Sequence, residues 1–224
     1  MERETGTFTQ ERERVEAVRR EEEKAIYGMA GGSMLEALLG ASAVVLSILG
    51  LLNIMPAFMA SVAVIALGAS ILFGGGALVA RFSRAMSTAE RSTAAEMVQG
   101  GVAFQALAGT AAIVLGVLAL LAEAANVTLL SVALIVLGGA TLLSSNLIAS
   151  VNMVLMRMRE RSEAVMTTSG IDILVGLAAI VLGILALAGY QSGTMILAGT
   201  LSIGAAVVLS GSALASRAVS MFVR

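Results

Sequence analysis

Six long apolar segments fix the fold class of this chain, and the placement of its basic residues fixes how those segments run. The segments are Met34 to Asn53, Phe58 to Ala80, Val102 to Leu121, Val127 to Val151, Ile171 to Gly189 and Thr194 to Ala215. A helix rises about 1.5 Å per residue and the hydrocarbon core of a bilayer is roughly 30 Å thick, so about twenty apolar residues span it. Because lipid offers no hydrogen bonds to an open backbone, the expected fold is an all-α membrane protein with six transmembrane helices. The Lys and Arg residues fall in the N-terminal arm (Arg3, Arg12, Arg14, Arg19, Arg20, Lys24), after the second segment (Arg81, Arg84, Arg91), after the fourth (Arg157, Arg159, Arg161) and in the tail (Arg217, Arg224). The positive-inside rule then places both termini in the cytoplasm and the turns near Pro56, Ala125 and Gln191 outside, as in a multi-pass protein of the cytoplasmic (inner) membrane. A cleaved signal peptide is not expected, because the charge-rich first thirty or so residues contain no apolar core.

Composition narrows the chemistry. Hydrophobic residues make up 58% of the chain and charged ones 13%, a balance suited to lipid-facing helices and not to a soluble domain. There is no Cys and no His, which removes thiol chemistry, the commonest general base and the commonest transition-metal ligand. No nucleophile with its base, metal cluster or phosphate-binding loop is recognisable, so the expectation is a protein without enzymatic activity, cofactor or metal. The 13 Met residues read as adaptable packing instead of a copper site, and a net charge of −1 argues against nucleic acid.

The chain repeats itself three times. The odd segments read GASAVVLSILGLL from Gly40, GTAAIVLGVLALL from Gly109 and GLAAIVLGILALA from Gly176. The even ones read SVAVIALGASILFGGGALVAR from Ser61, SVALIVLGGATLLSSNLIASV from Ser131 and LAGTLSIGAAVVLSGSALASR from Leu197. The approaches Glu90-Arg91-Ser92 and Glu160-Arg161-Ser162 also match. This divides the chain into a charged cytoplasmic helical arm (1–33), a first hairpin (34–84), and two units of a cytoplasmic helix plus a hairpin (85–156 and 157–224). An even number of spans per unit makes the repeats parallel, which excludes the inverted-repeat device of many carriers. In the arm, Thr7 with Gln10 reads as a capping box, opening a helix to about Met29 that either docks on other cytoplasmic helices or a partner or stands as a solvent-exposed extension.

Each span carries two small residues seven apart: Gly40 and Ser47, Gly68 and Gly75, Gly109 and Gly116, Gly138 and Ser145, Gly176 and Gly183, Gly204 and Gly211. Seven residues is nearly two helical turns, so each pair lies on one face where a neighbouring backbone can approach closely. The run Gly74-Gly75-Gly76 predicts a kink or a very close contact, and Ser144-Ser145-Asn146 and Ser210-Gly211-Ser212 keep the same level small or weakly polar. Ionisable groups in spans mark ion paths. The candidates are Glu36, Gln105 and Asp172, each four residues before the aligned glycine or its equivalent in an odd span. In a pseudo-threefold bundle they would form a polar ring near the cytoplasmic mouth; alternatively, acids there suit the positive end of a helix dipole.

The pattern G-x-x-x-(I/V)-V-L-G-(I/V)-L-A-L from Gly109 and Gly176, and more loosely from Gly40, resembles the HdeD-like family of short-repeat bacterial membrane proteins. The resemblance covers the six spans and implies a stress-related inner-membrane protein, with no catalytic residues to transfer. Two functions follow as expectations. One is a structural or assembly role, as an accessory subunit of a membrane complex or a homo-oligomeric organiser of the lipid bilayer. The alternative is a channel or carrier for a small ion or apolar solute, with Glu36, Gln105 and Asp172 at its inner mouth.

Overall fold

The computed structural model describes residues 34–86, 93–156 and 164–222, and the side-chain surroundings of 34–74, 103–122, 124–143 and 170–210. The arm with Thr7 and Gln10 and the two Glu-Arg-Ser approaches lie outside the described residues. Helix α1 is described from Met34 to Leu51. It is followed by α2 (Pro56–Met86), α3 (Thr93–Leu121), α4 (Asn126–Met156), α5 (Ala164–Leu187) and α6 (Ser192–Phe222), with a single 3-10 turn, Glu123–Ala125, between α3 and α4. All six helices are long and apolar enough to cross a membrane, and no strand occurs among the described residues.

Helix continues where apolarity stops. The even helices each run 31 residues, past Ala80, Val151 and Ala215. Thr93 and Ala164 open the same continuous helices that hold the third and fifth spans, so the described stretches just before those spans are not separate helices. Helix α2 likewise runs without interruption through Gly74-Gly75-Gly76.

The helices sort into an inner and an outer set. Helices α2, α4 and α6 contact one another, while α3 packs on α2 and α4, and α5 packs on α4 and α6. Helix α1 packs on α6 and also reaches α2, where the Glu36 carboxylate lies against Gly74. Burial follows: 44, 39 and 44% of the most apolar stretch is buried in α2, α4 and α6, against 22, 28 and 22% in α1, α3 and α5.

Buried positions on the inner helices recur at three- and four-residue steps, as one face of a helix requires. Ala60, Ala63, Val64 and Leu67 in α2 match Leu130, Ala133, Leu134 and Leu137 in α4, and Ile196, Gly199, Thr200 and Ile203 in α6. Gly199 stands where its equivalents are alanines, because Leu134 fills the space: a Cβ there would meet Leu134 Cδ2 at 2.5 Å. The outer helices turn Val45, Leu107, Val114, Leu174 and Val181 outward, the surface a bilayer covers.

The aligned turns after α1, α3 and α5 are solved in two ways. After α1, Asn53 takes a left-handed conformation (φ 66°), with Asn53 N–H donating to Gly50 O and Ile54 N–H to Leu49 O. After α5, Gly189 (φ 86°) does the same, with donations from Gly189 to Ala186 O and Tyr190 to Leu185 O. These are Schellman caps, which need a residue tolerant of positive φ. The aligned residue after α3 is Ala122, whose Cβ disfavours that region, and it sits at φ −109°. There the chain passes through the 3-10 turn, and the Asn126 side chain donates to Ala119 O at 2.6 Å, capping a carbonyl the helix end leaves open.

Candidate functional site

The small-residue faces meet between helices that belong to different hairpins. A Cβ at Gly68 of α2 would stand 2.7 Å from Gly109 O of α3, and one at Gly109 would stand 2.7 Å from Gly68 O. Gly138 of α4 and Gly176 of α5 repeat this at 2.7 and 2.8 Å. In each pair the glycine hydrogens point at the partner's carbonyl, the arrangement of Cα–H···O contacts worth about 0.5–1 kcal/mol each. One turn-pair away, Gly116 lies against Ser61 O and Ile65, and Gly183 against Ser131 O and Ile135. Gly75, Ser145 and Gly211 fall in helical stretches whose side-chain surroundings are outside the described residues.

The third seam, between α6 and α1, occupies the equivalent place and is built differently. Gly204 faces Gly40, but the Cβ-to-carbonyl approaches open to 3.1 and 3.2 Å. Where the other seams have Gly116 and Gly183, α1 carries Ser47; where they have Val64 and Leu134, α6 carries Thr200. The two hydroxyls are fully buried and hydrogen-bonded at 2.8 Å. Thr200 also bonds back to Leu197 O at 3.0 Å, which uses its only proton, so Ser47 is the donor across the seam. Leu197, in the place of Ser61 and Ser131, is accommodated by Gly50, in the place of Ala119 and Ala186: a Cβ at Gly50 would meet Leu197 Cδ2 at 2.6 Å.

Other hydroxyls serve their own helices. Ser61, Thr110, Ser131 and Ser202 donate to the carbonyl four residues back, and Ser42, Thr141 and Ser210 to that three back. Such bonds satisfy the group without linking helices. Ser70 Oγ, on the inner face of α2, is a buried side-chain oxygen without a hydrogen-bond partner, and its aligned equivalents are Ala140 and Ala206.

Glu36, Gln105 and Asp172 stand at equivalent levels of the three outer helices, each half-buried. Glu36 lies over Gly74, where a Cβ would be 2.7 Å from its Oε1, so a glycine on α2 makes the room for this carboxylate. Among the described residues the backbones of α3 and α5 do not approach each other, and Gln105 and Asp172 stand on these two separate helices. Among the described residues no three His, Cys, Asp or Glu side chains converge as a metal site. Asn152 lies outside the residues with described surroundings, as do Asn146 and the inner methionines Met153 and Met156.

Sequence reasoning missed Thr200. Its signal was present: a single polar residue on the buried face of an apolar repeat whose other copies carry Val64 and Leu134. No family model matches the chain, and neither the curated proteins nor the solved structures contain a match to it.

Proposed function

We propose that this protein is a non-enzymatic, multi-pass membrane protein whose role is structural: an accessory subunit of a membrane complex or a homo-oligomeric organiser of the bilayer. The observation that carries the reading is the filled axis of the inner helices, where Leu67, Leu137 and Ile203 stand at one level with 0% exposure. A solute path along that axis would have to displace a layer of close-packed apolar side chains, at the several-kcal/mol cost typical of disrupting a core. The apolar outer faces of α1, α3 and α5 supply what an assembly role needs, a large surface for lipid or for other membrane subunits.

The finer architecture belongs to the same proposal. Three parallel hairpin repeats close into a pseudo-threefold bundle in the cytoplasmic membrane, both termini and the charged arm inside. The reading is supported by the aligned pairs Gly68 with Gly109, Gly138 with Gly176 and Gly204 with Gly40, and by the basic residues of the connections. The stress-related role implied by the HdeD-like resemblance is its physiological setting.

Mild extraction from native membranes, followed by intact mass measurement with identification of co-purifying chains, tests the assembly role. A stoichiometric complex is the expected result. A lone chain that carries ions in liposomes, with flux lost in Glu36→Gln combined with Asp172→Asn, overturns it in favour of a channel or carrier.

A further inference from the structure

The three outer turns occupy aligned places in the sequence repeats but differ in chemistry. The second contains Glu123 and is followed by Asn126 and Thr128; the third carries Tyr190, Gln191, Ser192 and Thr194. The first is Leu52-Asn53-Ile54-Met55-Pro56, and every residue from Ala37 to Ala80 is uncharged. Leu52 and Met55 are each 66% exposed, and Ile54 and Phe58 each 48%, so among the described residues the tip presents four large, largely uncovered apolar side chains. Its helix-end amides are closed as they are at the third turn, where Ala188, Gly189 and Tyr190 donate to Ile184, Ala186 and Leu185. Leu52, Asn53 and Ile54 donate their amides back to Ile48, Gly50 and Leu49, and Pro56 opens α2 with no amide to satisfy.

The tip also continues the apolar outer face of α1, through Val45, Ile48 and Leu51. From Glu36 to Leu51 the helix climbs about 22 Å, as α5 does from Asp172 to Leu187, both short of the roughly 30 Å of hydrocarbon, so what separates the turns is their side chains. The other two turns carry polar groups that draw them to the headgroup layer; the first has only the Asn53 amide. We propose that the first turn is a lipid-binding element, seated in acyl chains beneath the outer headgroups, with the Asn53 amide met by lipid ester oxygens. The bundle then stands unevenly in the bilayer, deeper at α1 and α2 than at the other two hairpins. This rests on the bilayer-spanning reading above.

The chain has no Cys, so single cysteines report position cleanly. Met55→Cys, Ala124→Cys and Tyr190→Cys probe the three tips, Phe58→Cys is a second probe of the first, and Val114→Cys on the outer face of α3 is the mid-bilayer reference. Each is reacted with a membrane-impermeant maleimide admitted to both sides of native vesicles, then again after detergent denaturation to count all thiols. The thiolate is the nucleophile that adds to the maleimide double bond, and it does not form in hydrocarbon, so Met55→Cys and Phe58→Cys should react at least about tenfold more slowly than Ala124→Cys and Tyr190→Cys. Equal rates at the three tips, with Val114→Cys protected, overturn the proposal and leave the bilayer reading intact. Rapid reaction of Val114→Cys overturns both. Protection of the first tip in native membranes that vanishes when the purified chain is reconstituted in phosphatidylcholine vesicles assigns the surface to a protein partner instead.

Discussion

Helices α2 and α3 meet as α4 and α5 do, glycine against glycine with each carbonyl aimed at the other backbone. Helices α6 and α1 meet at the aligned place with a wider approach and a Ser47-to-Thr200 hydrogen bond. The two arrangements answer one problem, since lipid gives no hydrophobic drive between helices and contact must come from close packing or from polar bonds. The difference tracks connectivity. Helices α2 and α3 follow each other in the chain, as do α4 and α5, whereas α6 and α1 lie at opposite ends. A pair joined by a short connection tolerates an undirectional contact, while a pair that must find each other benefits from one that fixes register. Two hydroxyls buried in apolar surroundings do this, because a slipped pairing leaves the Ser47 proton without its cross-helix acceptor.

The sharpest test of this contrast is one methyl group. Gly138→Ala and Gly68→Ala push a Cβ to 2.7 Å from a backbone oxygen that cannot yield cheaply, and each should cost about 1–3 kcal/mol as overpacking. Gly204→Ala meets Val44 Cγ2 at 3.0 Å and Gly40 O at 3.1 Å, a milder clash that the helix-propensity gain of about 1 kcal/mol, common to all three substitutions, should bring near zero. Reversible unfolding in mixed micelles measures all three; equal losses at Gly204 and Gly138 would erase the distinction between seams. Next in size, Ser47→Ala and Thr200→Val, alone and together, should give a coupling energy of about 0.6–1.7 kcal/mol in a double-mutant cycle. A coupling of zero would reduce the hydrogen bond to an incidental contact. The smallest effect belongs to Ser47→Gly combined with Thr200→Leu, which rebuilds the third seam on the plan of the other two. Its stability should stay within about 1 kcal/mol of the parent, and a solved structure of it should show Gly40 and Gly204 drawn together.

Much of the fold is legible in the chain itself. Six apolar runs of sufficient length specify six helices, and glycines at positions 40, 109 and 176 mark the packed faces of the outer helices, those that approach another backbone. Which backbone they approach is not local information. Gly109 could have faced its own hairpin partner α4, and choosing α2 depends on how all six helices share space. Ser47 is read from sequence only as a small residue, because its partner lies 153 residues away and nothing in a single helix announces it. The three aligned polar positions Glu36, Gln105 and Asp172 are legible, but not the glycine that receives Glu36, since that contact crosses from α1 to α2. Turn chemistry is half legible. Gly189 declares a left-handed cap, while the Ala122 route through a 3-10 turn follows from what alanine cannot do.

The separation of Ser47 from Thr200 also sets a clock. A ribosome adding roughly 5–20 residues per second needs about 8 to 30 seconds to make the 153-residue step between them. Throughout that interval α1 is in place without the helix that completes it, and its hydroxyl must be held by the carbonyl of its own preceding turn. Among the described helices, the seam between α1 and α6 therefore joins the two partners made furthest apart in time, and a nascent chain stalled before α6 holds Ser47 with its cross-helix acceptor still unmade.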